Sequence, residues 1–491
     1  MLGVTSDNIR EVKKRDRPLT LQAPCLSIVP TRQPPFASPK PSSPRSLPRS
    51  LIDPPMQNLD YRSRRYMDYF AGAVCRDLVI YDVPKHNLFR DLIPIAHQHP
   101  VLMQTIIASS ALHLSNSSQQ SSKSLSGATK IAPTQSSTSL LGSLSISPCM
   151  TSHPEALHDA LKAKQRALCL LKSALEDMAS ADVDVVLAVV LLLIGFELID
   201  SGRGSWVFHM NGARKIIEDL IASSIATETD FSPLRRWLVS NCLVYDLLGS
   251  SFANSHLPHT GGISATTMSL LQDAEGNHCS SFPAALLPLI QAGARLLRKT
   301  DDDSKHPDSL TNSGLRDALH LLDVARSFDA AVWAINLQSR SPADDLFYRM
   351  EIAAAHRAAV CIYLSRVILA LWPSTVLPDD TEKLAVEIIT HLSHMRPGDA
   401  LFTATAWPAF IAGLEMVDPT NRAWVAVRFQ ELWEKEPWGL TREALGVLST
   451  MWEFRKNADA VESSNGQRRR QEENWNWIKK LEDMGADWLV A

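Results

Sequence analysis

The chain has 491 residues, 45% apolar and 21% charged, with a formal net charge of −4. Those proportions are ordinary for a globular protein and exclude a collagen-like, low-complexity or strongly basic chain, so any nucleic-acid contact needs a local basic segment. Its length allows two or three average domains or one large helical body. The seven cysteines (Cys25, Cys75, Cys149, Cys169, Cys242, Cys279 and Cys361) are odd in number and widely spaced. That pattern predicts a reducing compartment and no disulfide framework.

Residues 1–57 are predicted to be a disordered, basic, Pro/Ser-rich segment, since residues 1–55 hold 11 of the 29 prolines and nine Lys/Arg against four Asp/Glu. Within it Lys13, Lys14, Arg15 and Arg17 fit either a nuclear import signal or a solvated charged tail. No apolar core of a signal peptide is present there. Helical periodicity begins near Leu59, with Tyr66, Tyr69, Phe70 and Val74 on one stripe. A helix over 88–97 leads to Pro100, which suits the first position of a helix over 101–114. Residues 115–152 hold 14 serines in 38 positions and are predicted to be a flexible insert within the helical body at 58–491.

Periodicity resumes over 155–178, where Leu157, Leu161, Leu168, Leu171 and Leu175 predict one apolar face. The run from Val183 to Ile199 is apolar nearly all round and predicts a central core helix. Its longest uninterrupted part, Val185–Phe196, is twelve residues, short of the ~20 needed to cross a bilayer. A Gly-rich turn (Ser201-Gly202-Arg203-Gly204) follows, then a helix with Trp206, His209, Ala213 and Ile217 on one face. Gly212 and Ala213 are small enough to let a neighbouring helix approach closely. Further helices are predicted over 232–248, 282–298, 315–336, 345–371 and 381–394, followed by a Trp-rich end, with loops over 254–267 and 300–313. No alternating strand of convincing length occurs, so the fold class is all-α, a large multi-helix domain.

Phe196-Glu197 followed by Trp206-x-x-His209-x-x-Gly212-Ala213 resembles the fungal-specific transcription factor domain, the regulatory region of fungal zinc-cluster transcription factors. The segment His99-Pro100 to Leu114 and the run Trp407-Pro408-Ala409-Phe410-Ile411-Ala412-Gly413, followed by Asp418 and Arg422, are similar to the same family. So is the ending with Leu448, Trp452, Trp475 and Gly485-Ala486-Asp487-Trp488-Leu489. Eight of the twelve tryptophans lie between 407 and 491, so this end is expected to dock onto the body. The resemblance covers roughly residues 58–491. It implies a nuclear transcriptional regulator of metabolic, secondary-metabolite or stress-response genes, working with other transcription factors or the transcription machinery, with a homodimer possible and no membrane partner.

Members of that family bind DNA through two zinc ions held by six cysteines in two Cys-x-x-Cys-bearing halves. Here the first 70 residues hold one cysteine and no Cys-x-x-Cys occurs anywhere. The expectation is therefore that this chain itself binds no zinc and that DNA is reached only through a missing N-terminal module or a partner. The Pro/Ser-rich start resembles the linker after such a module, which points to a shortened regulator. The alternative is a helical interaction module or competitor that acts through a partner regulator.

Catalytic readings find no support in motif. Gly-x-Ser-x-Gly, His-Glu-x-x-His, a phosphate loop and a strand-led Gly-x-Gly-x-x-Gly are all missing from the sequence. His97, His99 and His113 lack nearby acidic or Cys partners and are expected at helix ends and on the surface. Asp301-Asp302-Asp303 reads as a solvated turn. No repeat of 30–50 residues suggests a solenoid. Catalytic, cofactor and metal residues are accordingly expected to be none, and an effector, if one is held between helices, would be lined by the 202–209 turn or the Trp407 region.

Overall fold

A computed structural model describes residues 59–127, 153–177, 181–227, 229–252, 263–302, 312–462, 475–485 and 487–491. The candidate import residues Lys13, Lys14, Arg15 and Arg17 lie outside them. The described residues are helical, with two isolated antiparallel bridges (Val79 with His278, Arg203 with Trp488) as the extended pairing. In chain order the helices are α1 (Tyr61–Tyr69), continued by a π-turn at Phe70–Val74 and a short turn at Cys75–Asp77, then α2 (Leu92–Ala96), α3 (Pro100–Gly127), α4 (His153–Glu176), α5 (Val183–Asp200) and α6 (Trp206–Thr227). After them come α7 (Pro233–Gly249), α8 (Ala265–Ala274), α9 (Leu287–Asp302), α10 (Asn312–Arg326), α11 (Ala330–Gln338) and α12 (Leu346–Leu371). The chain ends with α13 (Thr381–Leu392), a 3-10 turn at Ala400–Thr405, α14 (Ala406–Glu415), α15 (Pro419–Lys435), α16 (Gly439–Glu462) and α17 (Trp477–Asp483).

Two helices organise the core. Every residue of α5 from Val185 to Ile199 is buried, and α5 packs against α3, α6, α7 and α16. Asp182 starts it by accepting a hydrogen bond from the Asp184 N–H, as an N-cap does. The second, α12, contacts α9, α10, α11, α13 and α14. It is also the one described helix long and apolar enough to cross a membrane, but 89% of its apolar window is buried inside the protein, as a core helix requires.

Several expectations need correction. The helix from Pro100 does not stop at Leu114 but runs to Gly127, so the Ser-rich insert starts later than its composition suggests. Ser115 and Asn116 are buried, and the Asn116 amide donates to the carbonyls of Ile199 (2.8 Å) and Pro437 (2.9 Å). Tertiary partners thus override weak helix propensity. The predicted helix over 315–336 is two, because Asp329 caps α11 by accepting from the Ala331 and Val332 N–H groups. The region 265–274, partly assigned to a loop, is α8, capped by Ser264.

A further correction concerns α4. Its inward face is Ala156, Ala160, Ala163, Ala167 and Leu171, whereas Leu161, Leu168 and Leu175 face outwards, 55%, 38% and 46% exposed. Alanines at steps of three and four let α4 lie close along α3, so the small residues take the buried stripe and the bulky ones are displaced. Ala160→Leu is therefore expected to overpack the α3–α4 seam and cost about 1–3 kcal/mol, whereas Leu168→Ser should stay within about 0.5 kcal/mol of the parent. Urea denaturation checks both; equal losses would restore the leucine face as the buried one.

The Trp-rich end docks as expected. Trp407, Trp438, Trp477 and Trp488 are buried, and Trp424, Trp452 and Trp475 are half-buried against the same core. Among the described residues the cysteines are free, four buried and Cys169 exposed.

Candidate functional site

The Phe196–Ala213 segment builds a closed corner at the end of α5. Glu197 is buried there, with the Lys164 ammonium 2.7 Å away and His209 Nε2 at 3.4 Å. Burial works to raise its carboxyl, but His209 and Lys164 together outweigh it and hold Glu197 below the usual carboxylate range. Lys164 also lies 4.4 Å above the Phe196 ring, so one lysine serves both signature residues. His209 is half-buried as the partner of this carboxylate, not part of the apolar core that Trp206, Ala213 and Ile217 enter.

The turn after α5 reverses the chain through two residues with positive φ, Gly202 (+72°) and Gly204 (+63°). Gly202 N–H donates to the Glu197 carbonyl at 2.7 Å, and its own carbonyl accepts from Leu489 N–H at 2.9 Å. A Cβ at Gly202 would stand 2.8 Å from the Leu489 carbonyl oxygen, so glycine is required both by conformation and by space. Gly204 N–H and the Trp206 indole N–H both donate to the Asp487 carbonyl, at 2.9 and 3.2 Å. Arg203 stacks 4.3 Å over the Trp488 ring. The turn is thus a clasp for the segment 487–490, whose Trp488, Leu489 and Val490 are buried. Sequence reasoning flagged both halves but had no signal that they meet.

Trp206 inserts where α7 is thinnest: a Cβ on Gly249 would overlap its ring. The expectation for Gly212 is overturned. Gly212 is exposed, and a Cβ added there would meet nothing within 4 Å, so no helix crosses at this point; Ala213, fully buried, carries the close contact alone.

The second signature, α14, is buried throughout. Pro408 falls in its first turn, where backbone N–H groups have no intrahelical acceptor to lose. Gly413 allows α15 and α16 to close on α14, since a Cβ there would be 2.9 Å from Leu448 and 3.0 Å from Val425. The Trp452 indole donates to its carbonyl at 2.8 Å. Trp407 packs edge-on against Phe282 (5.1 Å) and near His356 (6.0 Å), so the Trp407 region is filled by these rings. Asp418 caps α15, and Arg422 donates to the Met416 carbonyl at 2.9 Å.

The residue that sequence reasoning missed here is Glu415, the last of α14 and fully buried. It accepts from Arg366 on α12 through two bonds, from Thr381 on α13 (2.6 Å) and from the Trp477 indole on α17 (2.9 Å). Burial opposes its charge, but Arg366 and the hydroxyl and indole donors hold the carboxyl below its ordinary value. A carboxylate ending an otherwise apolar helix was the available signal.

Of the three histidines considered for metal, His113 is not on the surface but buried between Asp77 (3.0 Å) and the Tyr69 hydroxyl (3.0 Å). Among the described residues no cluster of three or more His, Cys, Asp or Glu is arranged to hold a metal ion. His278 and His356 are fully enclosed, and burial pushes both down from 6.5 to about 3. Between those values the unfolded chain binds protons that the folded chain does not, so stability falls as pH drops from 6.5 towards 3. At about pH 5 the loss is about 2 kcal/mol per histidine. His356→Leu should therefore lose about 2 kcal/mol less than the parent when urea denaturation at pH 7 and pH 5 is compared; an unchanged acid sensitivity would refute the assignment.

These internal pairings define a helical body whose charged residues brace its own helices. Residues 65–491 match the model of the fungal-specific transcription factor domain. The chain belongs to the fungal-specific transcription factor domain family and is a transcriptional regulator. It is similar to the acriflavine sensitivity control protein acr-2 of Neurospora crassa, with 30% identity over 455 residues, 90% of this chain and 69% of that protein. No solved structure shows a significant match.

Proposed function

We propose that this chain is the regulatory body of a nuclear transcription regulator and carries out no catalysis itself. DNA is reached through a zinc-cluster module or partner regulator that supplies the Cys-x-x-Cys pairs missing from these 491 residues. The observation that carries the reading is the internal use of the signature: Glu197, Trp206 and Gly202 close a corner of the body instead of presenting reactive groups to solvent. The genes under control belong to metabolism, secondary-metabolite formation or stress response. The name of the Neurospora relative, a control protein for acriflavine sensitivity, favours the last of these.

The test combines localisation with transcript profiling. A fluorescent fusion should accumulate in nuclei, and deletion should change a discrete transcript set, most visibly under chemical stress. The purified chain should show no selective retention on any operator at physiological salt, whereas a DNA-binding partner should co-purify with it. A cytosolic protein whose loss leaves transcripts unchanged would overturn the reading.

A further inference from the structure

A cleft of about 260 Å3 opens between the start of α1, one side of α3 and the first half of α4. Its size falls just below the range for drug-sized ligands, so it suits a smaller molecule. Two carboxylates line it, and both are already engaged. Asp60 accepts from the Ser63 N–H at 2.9 Å and from the Ser63 hydroxyl at 2.8 Å, and these bonds hold its carboxyl below the ordinary value. Asp159 accepts from Arg62 at 3.2 Å and from the Tyr66 hydroxyl at 2.9 Å. Arg62 is thereby committed as well, with Glu155 as a second partner at 3.8 Å.

The other two cations of the cleft have no such counterpart. Lys162 and Arg166 are exposed, four residues apart on α4, and neither makes an ion pair or hydrogen bond with any described residue. Like charges at this spacing on a helix repel one another. The remaining cationic side chains of α4 are answered: Lys164 pairs with Glu197 at 2.7 Å and Lys172 with Glu176 at 3.9 Å. The uncompensated pair is therefore the one that lines the cleft. Across from it on α3, the half-buried Gln104 also has no hydrogen-bond partner among the described residues, and its amide adds two N–H donors. Unspent donors thus meet in one hollow whose acceptors are spent on their own neighbours.

We propose that this cleft binds the phosphate group of a small organic phosphomonoester, of the size of a sugar phosphate. Such a group carries about two negative charges at neutral pH, enough to answer both cations and end their mutual repulsion. A singly charged sulfate ester leaves one of them uncompensated. The planar Arg166 guanidinium donates to two phosphate oxygens side by side, Lys162 supplies a compact second charge, and the Gln104 amide donates from the facing helix. The binding site stands independently of the transcriptional reading, and its test needs no DNA.

Titration calorimetry and thermal shift on the full chain, with glycerol 3-phosphate, glucose 6-phosphate, glucose 6-sulfate and glucose as probes, separate the phosphate from the rest of the ligand. Both phosphates should bind and raise Tm, glucose 6-sulfate should bind on the order of tenfold more weakly than glucose 6-phosphate, and glucose should give no heat. Lys162→Gln and Arg166→Gln should each weaken the phosphates on the order of tenfold. Neither side chain braces the fold, so the urea midpoint of both variants should match or exceed that of the parent. Lys172→Gln, on the same helix but outside the cleft, should leave phosphate binding unchanged. No heat or Tm shift with either phosphate, glucose 6-sulfate bound as tightly as glucose 6-phosphate, or phosphate binding that Lys162→Gln and Arg166→Gln move no more than Lys172→Gln does would overturn the proposal.

Discussion

Glu415→Ala is expected to destabilise the body by about 3–5 kcal/mol, the range for stripping one member from a buried ion pair. Arg366 would remain enclosed, with the Trp475 carbonyl and the Thr381 hydroxyl as its remaining side-chain hydrogen-bond acceptors among the described residues. Three separate helices, α12, α13 and α17, would lose their common acceptor. Two further variants identify the cause. Glu415→Gln keeps one acceptor oxygen, which can serve the Trp477 indole or the Thr381 hydroxyl but not both, and should lose less than the alanine variant. The double change Arg366→Met with Glu415→Leu removes both charges and should recover much of the loss, since an apolar pair of similar volume needs no compensating charge. Guanidinium denaturation of the four proteins reads the result; a double variant as unstable as Glu415→Ala would show that geometry, not an orphaned charge, sets the penalty. The acid side follows the same logic. A carboxyl held low in the folded state contributes fully above its unfolded value and loses that contribution as pH falls through the lower folded one.

Trp206→Ala should cost a comparable 3–5 kcal/mol, the usual range for deleting a large buried aromatic. The ring has no exposed surface and fills the notch left by Gly249, so the void cannot close without moving α7. The same substitution removes the indole donor to Asp487 and should loosen residues 487–490. Faster amide hydrogen exchange at Leu489, whose N–H is bound to the Gly202 carbonyl, is the specific sign. Trp206→Phe, which keeps most of the ring but not the N–H, should separate the two effects. If Leu489 exchange stays slow in Trp206→Ala, the clasp does not depend on the indole.

The parts of this fold that could be read from sequence were those in which composition and environment agree. The α5 run is apolar on every side because it is enclosed on every side. Where they disagree the reading failed. Ser115 and Asn116 look like the start of a polar linker, yet they are buried in α3 because Asn116 bridges two distant carbonyls. On α4 the leucines drew attention, but the seam selects for closeness and the alanines occupy it. Glu197 and Glu415 were visible as solitary carboxylates at the ends of apolar helices. Their cations, Lys164 and Arg366, lie 33 and 49 positions away, and no local pattern connects them.

The pairing of Gly202 with Leu489 also has a temporal side. A ribosome delivers the first of these residues long before the second, so α5 and α6 must wait with their corner unlatched for most of synthesis. During that interval the indole of Trp206 and the apolar end of α5 lack the partners that bury them in the finished fold, the condition under which exposed apolar surface invites association.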